Sequence, residues 1–175
     1  MNRDHSGFAL WLTGLPCSGK STIADAVAKE LRDAGHNVER LDADDIRKRF
    51  WPELGYSKED RDKNISRVTW LAKLLTRNGV VVVLSFVSPY REAREQARKE
   101  IGDFIEVYVK CPLEVCMERD TRGLYQRAIR GEIEQFTGVS APYEEPTNPD
   151  IIVETDRETV EMSTRKVLAK IEENS

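Results

Sequence analysis

The stretch Phe8-Ala9-Leu10-Trp11-Leu12-Thr13-Gly14-Leu15-Pro16-Cys17-Ser18-Gly19-Lys20-Ser21-Thr22 decides the fold. Phe8 to Thr13 is an apolar run of strand length, and Gly14 to Ser21 fits the pattern GxxxxGK[ST]. From Lys20 to Ala34 the residues Ile23, Val27 and Leu31 recur one helical turn apart, and Gly35 stands where a left-handed cap is wanted. Strand, glycine loop and helix in that order are the context that makes this pattern a triphosphate cradle. The glycines allow the tight turn that aims main-chain N–H groups at phosphate oxygens, and the helix adds its positive end. Gly14, Leu15, Pro16, Cys17, Ser18, Gly19, Lys20, Ser21 and Thr22 are therefore expected to bind the phosphates of ATP. Lys20 should reach the β- and γ-phosphates, and the Ser21 hydroxyl should bind Mg²⁺.

Working outward, strand and helix signals alternate along the chain. Val38 to Asp42 reads as a second strand. Ser57, with Asp60 three residues on, reads as the cap of a helix carrying Ile65, Val68, Leu71 and Leu75 and closed by Gly79. Val80 to Phe86 is the most β-branched run and is expected to be the central strand. A polar helix from Arg91 to Ile101 and strands at Phe104 to Val109 and Ile151 to Val153 complete the pattern. The expectation is an α/β protein of the P-loop NTPase type, a single domain over residues 1–175, with a five-stranded, mostly parallel sheet and helices on both faces. Between Arg122 and Pro149 the period is lost and glycines, prolines and arginines accumulate. That segment, about 122–149, reads as a lid over the site, with a disordered loop as the alternative.

Composition narrows the partners. Charged residues make up 33% and hydrophobic ones 39% of the 175 residues, which suits a globular chain, and a net charge of -4 disfavours a nucleic-acid partner. The apolar run at Val80 to Leu84 is far too short for a bilayer, and the opening MNRDHSG lacks the apolar core of a signal peptide. No membrane association and a cytoplasmic location are expected. Cys17, Cys111 and Cys116 show neither metal-ligand spacing with His5 or His36 nor a disulfide framework.

The second strand ends in Leu41-Asp42-Ala43-Asp44-Asp45-Ile46-Arg47. This places carboxylates and a guanidinium at the carboxyl end of a strand, where open α/β sheets bind ligands. Transfer to an alcohol needs a group that takes the hydroxyl proton, which suits Asp44, and a cation that holds an anionic acceptor, which suits Arg47. A solvated acidic turn with Asp45 as helix cap is the alternative. The N/T-K-x-D signature of guanine readers is not present in the sequence.

Together with Leu54-Gly55-Tyr56-Ser57-Lys58 through Arg67, Phe86 to Arg91, Pro112 to Tyr125 and Phe136 to Pro149, these motifs resemble the adenylylsulfate kinase family over nearly the whole chain. The resemblance implies phosphorylation of the 3′-hydroxyl of adenosine 5′-phosphosulfate by ATP. It implies that Asp44 handles the hydroxyl proton while Asp42 organises Mg²⁺, and that Arg47 and Arg61 grip the phosphosulfate. Asn64 would fix the nucleotide, and Tyr56 and Phe136 would sandwich its adenine. Phe86, Val87 and Ser88 would line the acceptor, with Ser88 as a positioning group rather than a covalent intermediate. Arg119 would pack near the ATP base, Arg122 would belong to the lid, and relatives suggest a homodimer. Trp11, His36 and Trp70 read as structural. Ala43, Tyr56, Ser66, Arg122 and Ile129 depart from the family's usual residues, and Ser66 and Ile129 leave room for a different small hydroxyl acceptor. A nucleotide-dependent regulator without catalysis is the reading from another class.

Overall fold

The computed structural model describes residues 7–174. The reading of residues 1–6, His5 included, lies outside them. Five strands, β1 (Ala9–Thr13), β2 (Val38–Asp42), β3 (Val81–Ser85), β4 (Phe104–Lys110) and β5 (Ile151–Glu154), form one sheet in the order β2-β3-β1-β4-β5. Every neighbouring pair is parallel. Such strands need crossovers that lie on the faces of the sheet. These are supplied by α1 (Lys20–Asp33), α2 (Ala43–Phe50), α3 (Lys58–Thr76), α4 (Arg91–Ile101), α5 (Leu113–Glu118) and α6 (Leu124–Ile129), while α7 (Val160–Glu173) follows the last strand and packs back on the sheet.

Alternate strand residues feed two cores. Leu10, Leu12, Val81, Val83, Val107 and Val109 pack with Ile23, Val27 and Leu31 of α1 and with Val167 and Ile171 of α7. Ala9, Trp11, Val82 and Leu84 point the other way, against Ile65, Val68 and Ala72 of α3 and Ala97 of α4. A strand clothed on both faces is apolar throughout, which explains the continuous runs in β1 and β3.

Two expectations change. The central strand is β1 and not the run around Val80 to Phe86: both are fully buried, so neither burial nor β-branching ranks them, and the crossovers decide. The segment 122–149 is not devoid of regular structure, because α6 lies within it and the Phe136 carbonyl closes a turn by accepting from the main-chain N–H groups of Val139, Ser140 and Ala141 at 3.0–3.1 Å. Helices α5 and α7 were also not foreseen, and α2 only as the alternative with Asp45 as cap. Six residues leave α5 and α6 too short to show a period, and the buried face of α7 carries Ser163 and Thr164 beside Val167 and Ile171, which blunts its apolar stripe. The carboxyl ends of β1, β2, β3 and β5 bring Gly14, Asp42, Phe86 and Thr155 to one rim of the sheet.

Candidate active site

The donor side follows directly from β1. A Cβ on Gly14 would fall 2.4 Å from the Val109 carbonyl oxygen, so only glycine lets the chain turn there. Cys17 (φ 63) and Gly19 (φ 97) then take left-handed conformations, and α1 begins at Lys20. Lys20 is buried, and its Nζ donates to the Leu15 carbonyl at 2.7 Å, across the loop it closes. Burial pushes its ammonium down to about 8, while Cys116, Cys17, Asp42 and Asp44 pull it back toward the charged form. An anionic ligand in the loop would restore that charge.

Beside the loop lies a cavity of about 500 Å³, lined by residues of Cys17 to Ile23 and, across from them, by Arg119, Arg122, Thr155, Glu158 and Ser163. Arg119 donates to the Thr155 carbonyl at 2.7 Å and to its hydroxyl at 3.1 Å, and that hydroxyl donates to the Ser18 carbonyl at 2.7 Å. Arg119 is thereby pinned at the cavity wall. Thr155, Glu158 and Ser163 were missed. Their signal was position alone, since they follow β5 at the same rim.

Asp42 is the centre of the site. Its Oδ2 accepts from Ser21 at 2.9 Å and from Ser85 at 2.8 Å, and Ser85 in turn accepts from Arg40 at 2.7 Å. Its Oδ1 accepts from the Asp44 amide at 3.1 Å, so Asp42, rather than Asp45, caps α2. Burial works to raise its carboxyl, but the hydrogen bonds from Ser85, Ser21 and Asp44 outweigh it and hold the group below the usual range. A hydroxyl and an ionised carboxylate in contact are the hard oxygen donors that Mg²⁺ accepts alongside phosphate oxygens and water. Among the described residues, no group of three or more His, Cys, Asp or Glu side chains gathers into a protein-only cage. The residues present thus fit a cation completed by its substrate.

At the end of β2 expected to meet the acceptor, Asp44 is mostly exposed, with Arg122 of the segment 122–149 3.7 Å away. Arg47 donates to the carbonyls of Leu54 (3.0 Å) and Gly55 (2.7 Å) and stands 4.7 Å from the Tyr56 ring centre. Arg61 donates to the Tyr56 carbonyl (2.9 Å) and to the Gln135 carbonyl (2.6 Å), with its guanidinium 5.4 Å from the same ring. Burial lowers the Arg61 guanidinium, Tyr90 pulling against it. Arg61 therefore ties the Tyr56 loop to the residue before Phe136. Phe136 rests edge-on against Tyr125 at 5.0 Å, and the Tyr125 hydroxyl donates to the Pro16 carbonyl at 2.8 Å, so α6 is joined to the phosphate loop. Burial raises the Tyr125 phenol far above its usual value.

Other expected residues sit deeper. Asn64 is buried, and its Oδ1 accepts from Trp51. Phe86 is buried against Trp11, the Val87 carbonyl accepts from Thr13 at 2.7 Å, and the Ser88 hydroxyl accepts from Trp11 at 3.0 Å. These three form a floor behind the site. Trp11 is a core residue as read, whereas Trp70 is 62% exposed and is not. Ser66 and Ile129 are exposed.

A family profile described as adenylylsulphate kinase matches residues 6–154. The adenylyl-sulfate kinase of Halothermothrix orenii is 52% identical over 171 residues, covering 98% of this chain and 92% of that protein. The Mycobacterium tuberculosis APS kinase CysC, solved in complex with AMPPNP and APS, superposes with a TM-score of 0.91 at 38% identity, over 95% of this chain and 98% of that one. A hexameric APS kinase from Thiobacillus denitrificans gives 0.74 at 28% identity, over 98% of this chain and 30% of that one.

Proposed function

The chain belongs to the adenylylsulfate kinase family, and from that membership we propose how its residues divide the work of the reaction. It is an ATP-dependent kinase that phosphorylates adenosine 5′-phosphosulfate in sulfate activation, moving the γ-phosphoryl group to the 3′-hydroxyl and releasing ADP. The bond from Pγ to the β–γ bridging oxygen breaks as the bond from the ribose O3′ forms, and the hydroxyl proton leaves to Asp44.

In this reading the amides of Gly14 to Thr22 and the Lys20 ammonium hold the triphosphate, and Arg119 packs by its base. Ser21 and Asp42 would hold Mg²⁺, which would supply charge neutralisation at the phosphates. Arg47 and Arg61 face the phosphosulfate, Tyr56 and Phe136 stack on the adenine, and Asn64 with Phe86, Val87 and Ser88 shapes the floor. The segment 122–149 serves as lid, with Arg122 meeting the phosphates. The observation that carries the reading is Asp42: one carboxylate contacts the Ser21 hydroxyl on the donor side and caps the helix that presents Asp44 on the acceptor side. A coupled ADP-release assay with adenosine 5′-phosphosulfate tests it. Folded protein that binds ATP but gives no acceptor-dependent ADP would overturn it.

A homodimer working in the cytoplasm on small nucleotides, without nucleic-acid partners, completes the proposal. The Thiobacillus relative supports assembly of this fold, and among the described residues no helix is long and apolar enough to cross a membrane. Sedimentation of the purified protein would decide the subunit number.

A further inference from the structure

We infer that Arg94 is a positioning residue that locks one wall of the acceptor side, an inference that rests on the reaction assigned above. Arg94 lies in the first turn of α4 and is 2% exposed. Its guanidinium joins three segments that are distant in sequence. Nε donates to Glu106 of β4 at 2.9 Å, Nη1 to the Ser88 carbonyl at 2.6 Å, and Nη2 to the Glu144 carbonyl at 2.6 Å. The same group stands 5.8 Å from the ring centre of Tyr143, whose hydroxyl lies 2.9 Å from that of Thr13, the residue before Gly14.

The start of α4 and the residue Pro89 before it grip the same segment of chain. The Arg91 amide donates to the Glu144 carboxylate at 2.8 Å, the Arg91 Nε to the Glu145 carbonyl at 2.8 Å, and the Glu144 amide to the Pro89 carbonyl at 2.8 Å. A buried charge is costly unless it is paired and hydrogen-bonded, and here Glu106 and two carbonyls meet that need. Only a planar fork reaches three such acceptors at once; an ammonium on the same stem does not.

Two consequences follow for the reaction. Ser88 is a non-glycine residue at φ 39, a conformation that persists only where its surroundings hold it, and Arg94 holds its carbonyl. The second half of the lid segment, Tyr143 to Glu145, is a stationary wall joined through Thr13 to the root of the phosphate loop. Any closure thereby leaves Tyr143 to Glu145 in place.

The test uses the full chain with Arg94→Lys, which keeps a cation beside Glu106 but loses the fork, and with Arg94→Gln combined with Glu106→Gln, which removes both charges together. Steady-state kinetics in both substrates should show the acceptor KM rising about tenfold or more with the ATP KM unchanged, since small misplacements of positioning groups have effects of this size. Equal acceptor KM in wild type and folded variants overturns the inference, as does an equal rise in both KM values, the mark of a merely structural role. Hydrogen exchange gives an answer independent of turnover and of whether the variants fold. In the wild type the Glu144 amide should be protected like the amides of α4, while those of Glu134 and Gln135 exchange quickly. Glu144 exchanging as fast as Glu134 overturns the inference. Wild-type protein that shows this protection but no turnover would instead overturn the assigned reaction.

Discussion

The donor and acceptor halves of this site are held by different forces. Residues 14–22 form one unbroken stretch whose shape comes from main-chain turns, a glycine pressed against the Val109 carbonyl, and a helix start. The half assigned to the acceptor is gathered from three separated stretches, around residues 47–61, 88–94 and 135–144, and stitched by side chains: Arg47 to Leu54 and Gly55, Arg61 to Tyr56 and Gln135, Arg94 to Ser88 and Glu144. A cradle of amides keeps its form through most side-chain changes, whereas a wall held by guanidinium forks is only as rigid as those forks. The two halves should therefore fail differently. Damage to the chemistry should appear in kcat, and damage to the acceptor wall in the acceptor KM alone.

The largest effect expected is on Lys20→Ala, which removes the cation that faces the developing charge. Its kcat should fall on the order of 10³-fold, as for loss of a single preorganised donor. A kcat near wild type would break the assignment of the donor half. Next, Asp44→Asn should lower kcat about 10²-fold or more, the usual scale for general-base loss. Both KM values and the stability should hold, since Asp44 is mostly exposed.

The contrast between the halves is sharpest at Tyr56→Ala and Phe136→Ala. Each should cost about 1–3 kcal/mol in kcat/KM for the acceptor, the worth of a base stacked on an aromatic ring, with ATP saturation unchanged. A matching loss in ATP binding would erase the distinction.

A smaller effect concerns protons. Lys20 sits at about 8 in the free protein and must be charged under a triphosphate, so ATP binding raises its pKa. At pH 8 binding should take up about half a proton, and at pH 6, where the free lysine is already charged, none. Calorimetry in two buffers of different ionisation enthalpy measures this directly, and proton release at pH 8 would contradict it. The smallest effect is expected from Arg122→Ala on stability. The exposed pair with Asp44 at 3.7 Å should contribute no more than about 1 kcal/mol, and a denaturant midpoint near wild type would show that Arg122 does little for the fold.

Legibility in the sequence divides along the same line. The strands, α1, α3 and α4 were readable within a residue or two because their apolar period or caps are local, as at Ser57, whose hydroxyl accepts from the Asp60 amide at 3.1 Å. Helix α2 was read only as an alternative, one capped by Asp45, because its true cap, Asp42, read first as a strand end, and it is both. Asn64 and Phe86 were readable as members of motifs, but that they sit behind the site, against Trp51 and Trp11, was not. Thr155, Glu158 and Arg94 carry no local pattern of their own.

The order of residues by itself determined the class of fold and the phosphate-loop turn, because each depends on neighbours a few positions away: an apolar strand, glycines that permit a turn, a lysine and a serine at a helix start. The groups proposed to meet the acceptor came from the resemblance of whole motifs to a family. Only the tertiary structure decided that β1 is central, that Asp42 links the two halves, and that Arg94 fastens the segment around Glu144 to the floor beneath Ser88. The physical reason is range. Backbone conformation and capping are settled within a turn of chain, while strand order and buried ion networks depend on segments that meet only once the two cores have closed around the sheet.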